Sequence, residues 1–224
     1  MLTILTYEVT AFYQKCRLIF DATSKNAVIT DPGAEANLLY KEVEKLGLHV
    51  QAILLTHGHL DHAGVARELA TLFNCPLIGP HKADEVWLSN MHQQAQMFGL
   101  SPADNVIPDR WLNDGDKLNL NLGEEIEVLH CPGHTPGHVC FYFATSGFVV
   151  SGDVLFAGSV GRSDFPFGDP EELITSIKSK LLTLPDKTKV LPGHGSDTTI
   201  AREKMFNPYL NEPGKKSPSS KVVR

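Results

Sequence analysis

The apolar run Ala52-Ile53-Leu54-Leu55 leads straight into Thr56-His57-Gly58-His59-Leu60-Asp61-His62, which sets four potential metal ligands within six residues. Such density constrains the fold, because protonating several close histidines, or burying a carboxylate beside them, opposes folding unless a cation binds. Three more candidates, His134, Asp153 and His194, each follow a short apolar run. A solvated His-rich turn, or a cap on a helix beginning near Ala63, does not account for that repeated strand-then-loop grammar. Loops at strand ends converge on one edge of a sheet, and the strands hold them rigid. Read together, the residues describe a two-metal hydrolytic centre.

The rest of the chain supports that architecture. Strands are predicted over 5–9, 16–20, 27–30, 52–55, 76–78, 117–121, 125–130, 139–144, 148–151 and 189–191 from short β-type runs bounded by turn signals such as Asp31-Pro32-Gly33 and Asp114-Gly115-Asp116. Helical spacing of apolar positions predicts helices over 35–46, 63–73, 82–98 and 171–184. Two β-rich halves, each followed by helices, point to an α/β fold, a β-sandwich with helices on its outer faces. A single domain is expected over 1–210, with a disordered Pro-, Ser- and Lys-rich tail over 211–224.

Composition narrows the functions. A formal charge of -6 with scattered basic residues disfavours a nucleic-acid partner. Cys16, Cys75, Cys131 and Cys140 form no CxxC pair, and no apolar stretch reaches the ~18 residues of a membrane span. A soluble cytoplasmic protein with reduced thiols and no membrane partner is expected; oligomeric state is open.

The strings Thr56-His57-Gly58-His59-Leu60-Asp61-His62-Ala63-Gly64, Cys131-Pro132-Gly133-His134-Thr135-Pro136-Gly137-His138, Ser151-Gly152-Asp153 and Pro192-Gly193-His194-Gly195 resemble the metallo-β-lactamase superfamily. Within it the chain is similar to the glyoxalase II, or hydroxyacylglutathione hydrolase, group, and the string from Phe156 to Pro166 resembles its short bacterial members. The resemblance implies an αββα sandwich of two mixed sheets with metals at one edge. It assigns His57, His59 and His134 to a first metal, Asp61, His62 and His194 to a second, and Asp153 to both, with Asp61 and Asp153 as the catalytic carboxylates. It implies two divalent ions, zinc first, with iron or manganese also suited to the His/Asp set.

Two such ions would make hydroxide available near neutral pH and polarise a carbonyl. A thiolate leaving group, whose conjugate thiol has a pKa of about 8.5, needs no general acid. The implied activity is hydrolysis of a small-molecule thioester, S-D-lactoylglutathione or a related hydroxyacyl thioester. Only 30 residues follow His194, so the helical glutathione-binding domain of larger relatives cannot be carried over. The runner-up is a persulfide dioxygenase, a mononuclear-iron relative that would rely on His57, His134 and Asp153 and leave the second set idle. A metal-binding or redox-sensing module without turnover is the reading from outside enzymology.

Supporting roles are open at this stage. Asp31 is either a turn residue or an acceptor that fixes a ligand histidine's tautomer. Arg162 either meets a substrate carboxylate or pairs with Asp164 or Asp169. His138 reads as a satisfied polar residue at a strand start, Cys131 as a small buried side chain, and His49, His81, His92 and His130 as structural or solvated. The segment 87–98 could wall the site, although an ordinary surface helix is the more economical expectation.

Overall fold

The computed structural model describes residues 1–100 and 103–211. Two mixed sheets stack with helices outside them. The first sheet has the order β1 (Leu2–Val9), β2 (Gln14–Asp21), β3 (Asn26–Thr30), β4 (His49–Leu54) and β5 (Leu77–Ile78). Its first three strands are antiparallel, and β3, β4 and β5 are parallel. Helices α1 (Ala36–Leu46), α2 (Leu60–Ala63), α3 (Ala66–Leu72), α4 (Glu85–Leu88) and α5 (Met91–Phe98) belong to this half.

The second sheet contains β6 (Lys117–Asn119), β7 (Glu125–His130), β8 (Val139–Phe143), β9 (Phe148–Gly152), β12 (Lys189–Pro192) and β13 (Thr198–Thr199), in the order β13-β12-β9-β8-β7-β6. Between β9 and β12 lie the small hairpin of β10 (Leu155–Phe156) and β11 (Ser159–Val160) and helix α6 (Pro170–Ser176), which runs on as a π-turn over Ile177–Leu181. Helices α7 (Ile200–Phe206) and α8 (Pro208–Asn211) close the described chain. No helix among the described residues is long and apolar enough to cross a membrane.

Strand periodicity explains the layering. On β4, Ala52 and Leu54 face Val128, Phe141 and Val150 of the other sheet, while Ile53, and Leu55 just past the strand, turn outward to Leu39, Val43 and Leu69 of α1 and α3. On β8, Val139, Phe141 and Phe143 point between the sheets, whereas Cys140 and Tyr142 meet Leu173 and Ile177 on the α6 side. Strands covered on both faces become continuous apolar runs, which is why 52–55 and 139–143 read that way in sequence. The fold is the expected αββα sandwich.

Several boundaries depart from expectation. The segment 82–98 is a 3-10 turn, α4 and α5 rather than one helix. The segment 63–73 breaks between α2 and α3, where a Cβ on Gly64 would lie 2.3 Å from the Gly33 carbonyl oxygen and the Val65 N–H bonds to the Pro32 carbonyl at 3.1 Å. Strands β10, β11 and β13 and helices α7 and α8 were not anticipated, being too short to carry a periodic signal. Asn211 belongs to α8, and the rest of the expected tail lies outside the described residues.

Candidate metal centre

The parallel strands β3 and β4 in one sheet and β9 and β12 in the other carry their following loops to one edge of the sandwich, and β7, two antiparallel steps from β9, delivers its loop to the same edge. His57 and His59 follow β4, and Asp61 and His62 stand on the short helix α2 that His59 precedes. His134 lies after β7, Asp153 after β9 and His194 after β12.

All seven side chains meet there. The ligand atoms of His57, His59 and His134 form one group, those of Asp61, His62 and His194 another, and Asp153 joins His57 and His62 between them. His59 Nδ1 lies 3.1 Å from both His57 Nε2 and His134 Nε2. His62 Nε2 and His194 Nε2 are 3.4 Å apart, and Asp61 Oδ2 is 3.3 Å from His194 Nε2. Asp153 reaches His62 through Oδ1 at 3.4 Å, and through Oδ2 it reaches His194 at 3.5 Å and His134 at 3.7 Å.

The outward-facing ring nitrogens decide what this convergence means. His62 Nδ1 donates to Asp31 Oδ2 at 3.1 Å, His134 Nδ1 to the Arg162 carbonyl at 2.5 Å, and His194 Nδ1 to the Phe12 carbonyl at 3.1 Å. The Thr56 hydroxyl gives its proton to Asp31 Oδ2 at 2.7 Å, so it accepts from His57 Nδ1 at 3.0 Å. In a neutral imidazole, donating from Nδ1 leaves Nε2 as a bare lone pair. His57 and His134 both aim Nε2 lone pairs at His59 Nδ1, which can donate to only one of them, and His62 and His194 crowd Nε2 against Nε2 between Asp61 and Asp153. Buried His59 Nε2 and Asp153 Oδ1 have no hydrogen-bond partner. Two nitrogens bound tetrahedrally at the usual ~2.0–2.1 Å stand about 3.3 Å apart, close to the spacings present here. The donor set fits two divalent ions.

Electrostatics agree. Burial pushes His57 well below the ordinary imidazole range and brings His59 down to about 3, helped by neighbouring histidines. His134 is lowered chiefly by burial too, so the first group is neutral and ready to ligate. In the second group burial also opposes charge, yet Asp153 and Asp61 outweigh it and raise His62 and His194. Asp61 and Asp153 are held below the usual carboxylate range despite burial, mainly by His62 and His194.

Supporting residues resolve unevenly. Asp31 takes the acceptor role, since it binds His62, the Thr56 hydroxyl and, at 2.7 Å, the Thr56 N–H. His138 does more than begin a strand: its Nε2 accepts from the Asp153 N–H at 3.0 Å, and its ring stacks on His57 at 4.7 Å. Arg162 pairs with Asp164 at 2.9 Å and lies over the Phe165 ring, while its carbonyl serves His134. Cys131 is fully buried. His49, His81, His92 and His130 fall in none of the ligand groups.

The segment 87–98 buries Met91 and Ala95 in the core as an ordinary surface helix does, and it also reaches the site through Trp87 and Phe98. The Trp87 ring meets His59 edge to face at 4.6 Å, Phe165 lies 5.1 Å from His59, and Phe98 links Phe165 to Phe12. Sequence reasoning missed Gln94, whose side chain accepts from the Leu60 N–H and donates to the Gly58 carbonyl. It also missed Arg17, which binds the Pro192 carbonyl ahead of His194. Both are buried polar side chains within strand or helix patterns, and no local signal marks them.

Comparison with known proteins places this architecture. The profile of the metallo-beta-lactamase superfamily matches residues 10–194. A hydroxyacylglutathione hydrolase, GloC, of Haemophilus influenzae is 49% identical over 204 residues, covering 91% of this chain and 95% of its own. Among solved structures, the BLEG-1 B3 metallo-beta-lactamase superposes with a TM-score of 0.85 at 34% identity, over 94% of this chain and all of its own. The di-iron-bound form of TTHA1623 gives 0.83 at 38% identity, over 92% of this chain and all of its own. With the sandwich, the strand-end loops and these relatives in agreement, the chain belongs to the metallo-β-lactamase superfamily and, within it, to the hydroxyacylglutathione-hydrolase-like group of hydrolases.

Proposed function

We propose that this protein hydrolyses thioesters, with S-D-lactoylglutathione or a related hydroxyacylglutathione as substrate, using two divalent ions held by His57, His59 and His134 and by Asp61, His62 and His194, with Asp153 shared. The observation that carries the reading is the pair of adjacent donor groups joined at Asp153, whose ring nitrogens and carboxylate oxygens converge on the same small space. Two ions bound there would supply a water acidic enough to attack near neutral pH and a Lewis acid for the carbonyl.

The chain's own residues set the rest. Asp61 and Asp153 stay anionic, so each can accept a proton's hydrogen bond from the attacking water, and Asp153 keeps both groups in register. The wall of Trp87, Phe98 and Phe165 shields one side of the cluster from solvent and offers an apolar surface to the acyl or thiol stem. A thiolate departs without a proton donor, which suits a site whose imidazoles are all occupied by ligand geometry. The 49% identity to a hydroxyacylglutathione hydrolase supports the substrate class. Zinc is the first choice of metal; the di-iron form of a relative keeps iron in view. The four cysteines are free thiols, in keeping with a cytoplasmic enzyme.

The test is metal content per chain together with S-D-lactoylglutathione hydrolysis on the same preparation. Two metals and robust turnover are expected, and Asp61→Ala or His194→Ala should each remove mainly one metal and abolish turnover. One iron per chain without thioester hydrolysis, but with oxygen consumption on glutathione persulfide, would replace this reading with the persulfide dioxygenase.

A further inference from the structure

Asp84 is a fully buried carboxylate, and no ion pair with a Lys, Arg or His forms on it among the described residues. An anion buried in that way is costly unless hydrogen bonds and a nearby cation compensate it. Burial pushes its carboxyl up to about 7, against the pull of its hydrogen bonds. The donors come from two loops. The Gly58 N–H binds Oδ2 at 2.7 Å, the Thr135 hydroxyl binds the same oxygen at 2.8 Å, and the Gly137 N–H binds Oδ1 at 2.6 Å. Gly58 lies between His57 and His59, and Thr135 follows His134. Those three histidines are the whole first ligand group.

Two features set Asp84 apart from an ordinary helix-start aspartate. It stands at the N-cap of α4 yet makes no capping bond to that helix, the usual use of such a side chain. The loops also have no Cβ where its segment approaches. A Cβ on Gly58 would lie 3.1 Å from the Asp84 carbonyl oxygen, and one on Gly137 would lie 2.4 Å from the Asp84 N and 2.8 Å from its Cβ. The second group, Asp61, His62 and His194, receives nothing from Asp84 and leans instead on Asp31 and Phe12.

We propose that Asp84 is the positioning residue of the first metal group: its carboxylate locks the loop bearing His57 and His59 to the loop bearing His134, and so sets affinity at that group alone. This rests on the ligand assignment proposed above. Three imidazoles hold a cation only where their loops keep them in place, and Asp84 ties those loops together through three hydrogen bonds. An Asn at 84 keeps size and shape but loses the charge and turns an N–H toward one set of donors. Thr135→Val is the milder probe, because it removes one donor and leaves the carboxylate.

Zinc affinity is measured on the metal-depleted full-length chain by competition with a chromophoric chelator, in two single-site backgrounds. In His194→Ala, which retains the first group, Asp84→Asn should weaken zinc binding about 10–100-fold, the range for residues that orient metal ligands, with a smaller loss for Thr135→Val. In His134→Ala, which retains the second group, both changes should leave zinc affinity as it was. Equal weakening in the two backgrounds would make Asp84 a general stabiliser and overturn the proposal. So would unchanged first-group affinity in both variants. If Asp84→Asn fails to fold, Thr135→Val decides between the same outcomes. Backgrounds that bind no zinc at all would overturn the ligand assignment, and the role of Asp84 with it.

Discussion

At the scale of single residues, each ligand ring except His59 is fixed by an acceptor behind it. Asp31 is the most demanding of these, since it serves His62 and Thr56 together from a backbone with φ of 51° that Asp tolerates better than most residues. Asp31→Ala should lower zinc affinity at the second group about 10–100-fold, and Asp31→Asn should lower it less, as read by chelator competition. The raised His62 and His194 lead to a second expectation. Their folded values exceed the unfolded one, so in the metal-free protein the stability gained from pairing with Asp61 and Asp153 is complete below about pH 6.5 and is lost only as pH rises through the folded values. Those protons must leave when a metal takes the nitrogens. Zinc added near neutral pH should release protons, measured with a pH indicator in weak buffer; no release would contradict the raised His62 and His194.

Elements matter because they bring loops together at contact distance. Strand β12 runs parallel to β9, so Asp153 and His194 leave the same edge, and Gly193 packs against Asp153 and His62. A Cβ there would meet Asp153 Oδ1 at 2.3 Å and His62 Cε1 at 2.5 Å, and both side chains are pinned, His62 by Asp31 and each by the other. Gly193→Ala should therefore cost the second metal and most of the turnover while leaving the far-ultraviolet circular dichroism intact. An alanine variant with wild-type metal content would show that this edge is softer than its packing. The broken helix over 82–98 belongs to the same scale. Apolar spacing suggests one helix, but Asp84 and Gln94 must each face a ligand loop, and a straight helix would not present both.

The whole molecule is a sandwich whose two sheets bury one core between them and two under the helices, with the ligands gathered where the sheets meet at one edge. Metal bound at the proposed ligands would therefore tie the two halves together, since His57, His59, Asp61 and His62 come from the first sheet's half and His134, Asp153 and His194 from the second. A ligand that binds only the folded chain adds about 2.7 kcal/mol at a hundredfold excess over its Kd. For a domain of this size that corresponds to about 5–10 °C. Stripping the metals with a chelator should lower the thermal midpoint by at least that range, and zinc or ferrous iron should restore it. An unchanged midpoint would mean that the cluster is not occupied in the purified protein.

The sequence alone determined the sandwich class, the strand-end placement of the loops and the seven ligand candidates, because short apolar runs bounded by turn signals and closely spaced His and Asp residues are local signals. The αββα arrangement implied by resemblance matches the sheets and layers described here. Tertiary structure alone decided which residues support those candidates. Asp84, Gln94, Arg17 and the acceptor role of His138 depend on partners 15 to 175 residues away, as do the aromatic wall and the break in the helix over 82–98. A buried polar side chain is recognised by what it touches, and that is settled only when the sheets close on each other and bring distant loops within hydrogen-bond reach.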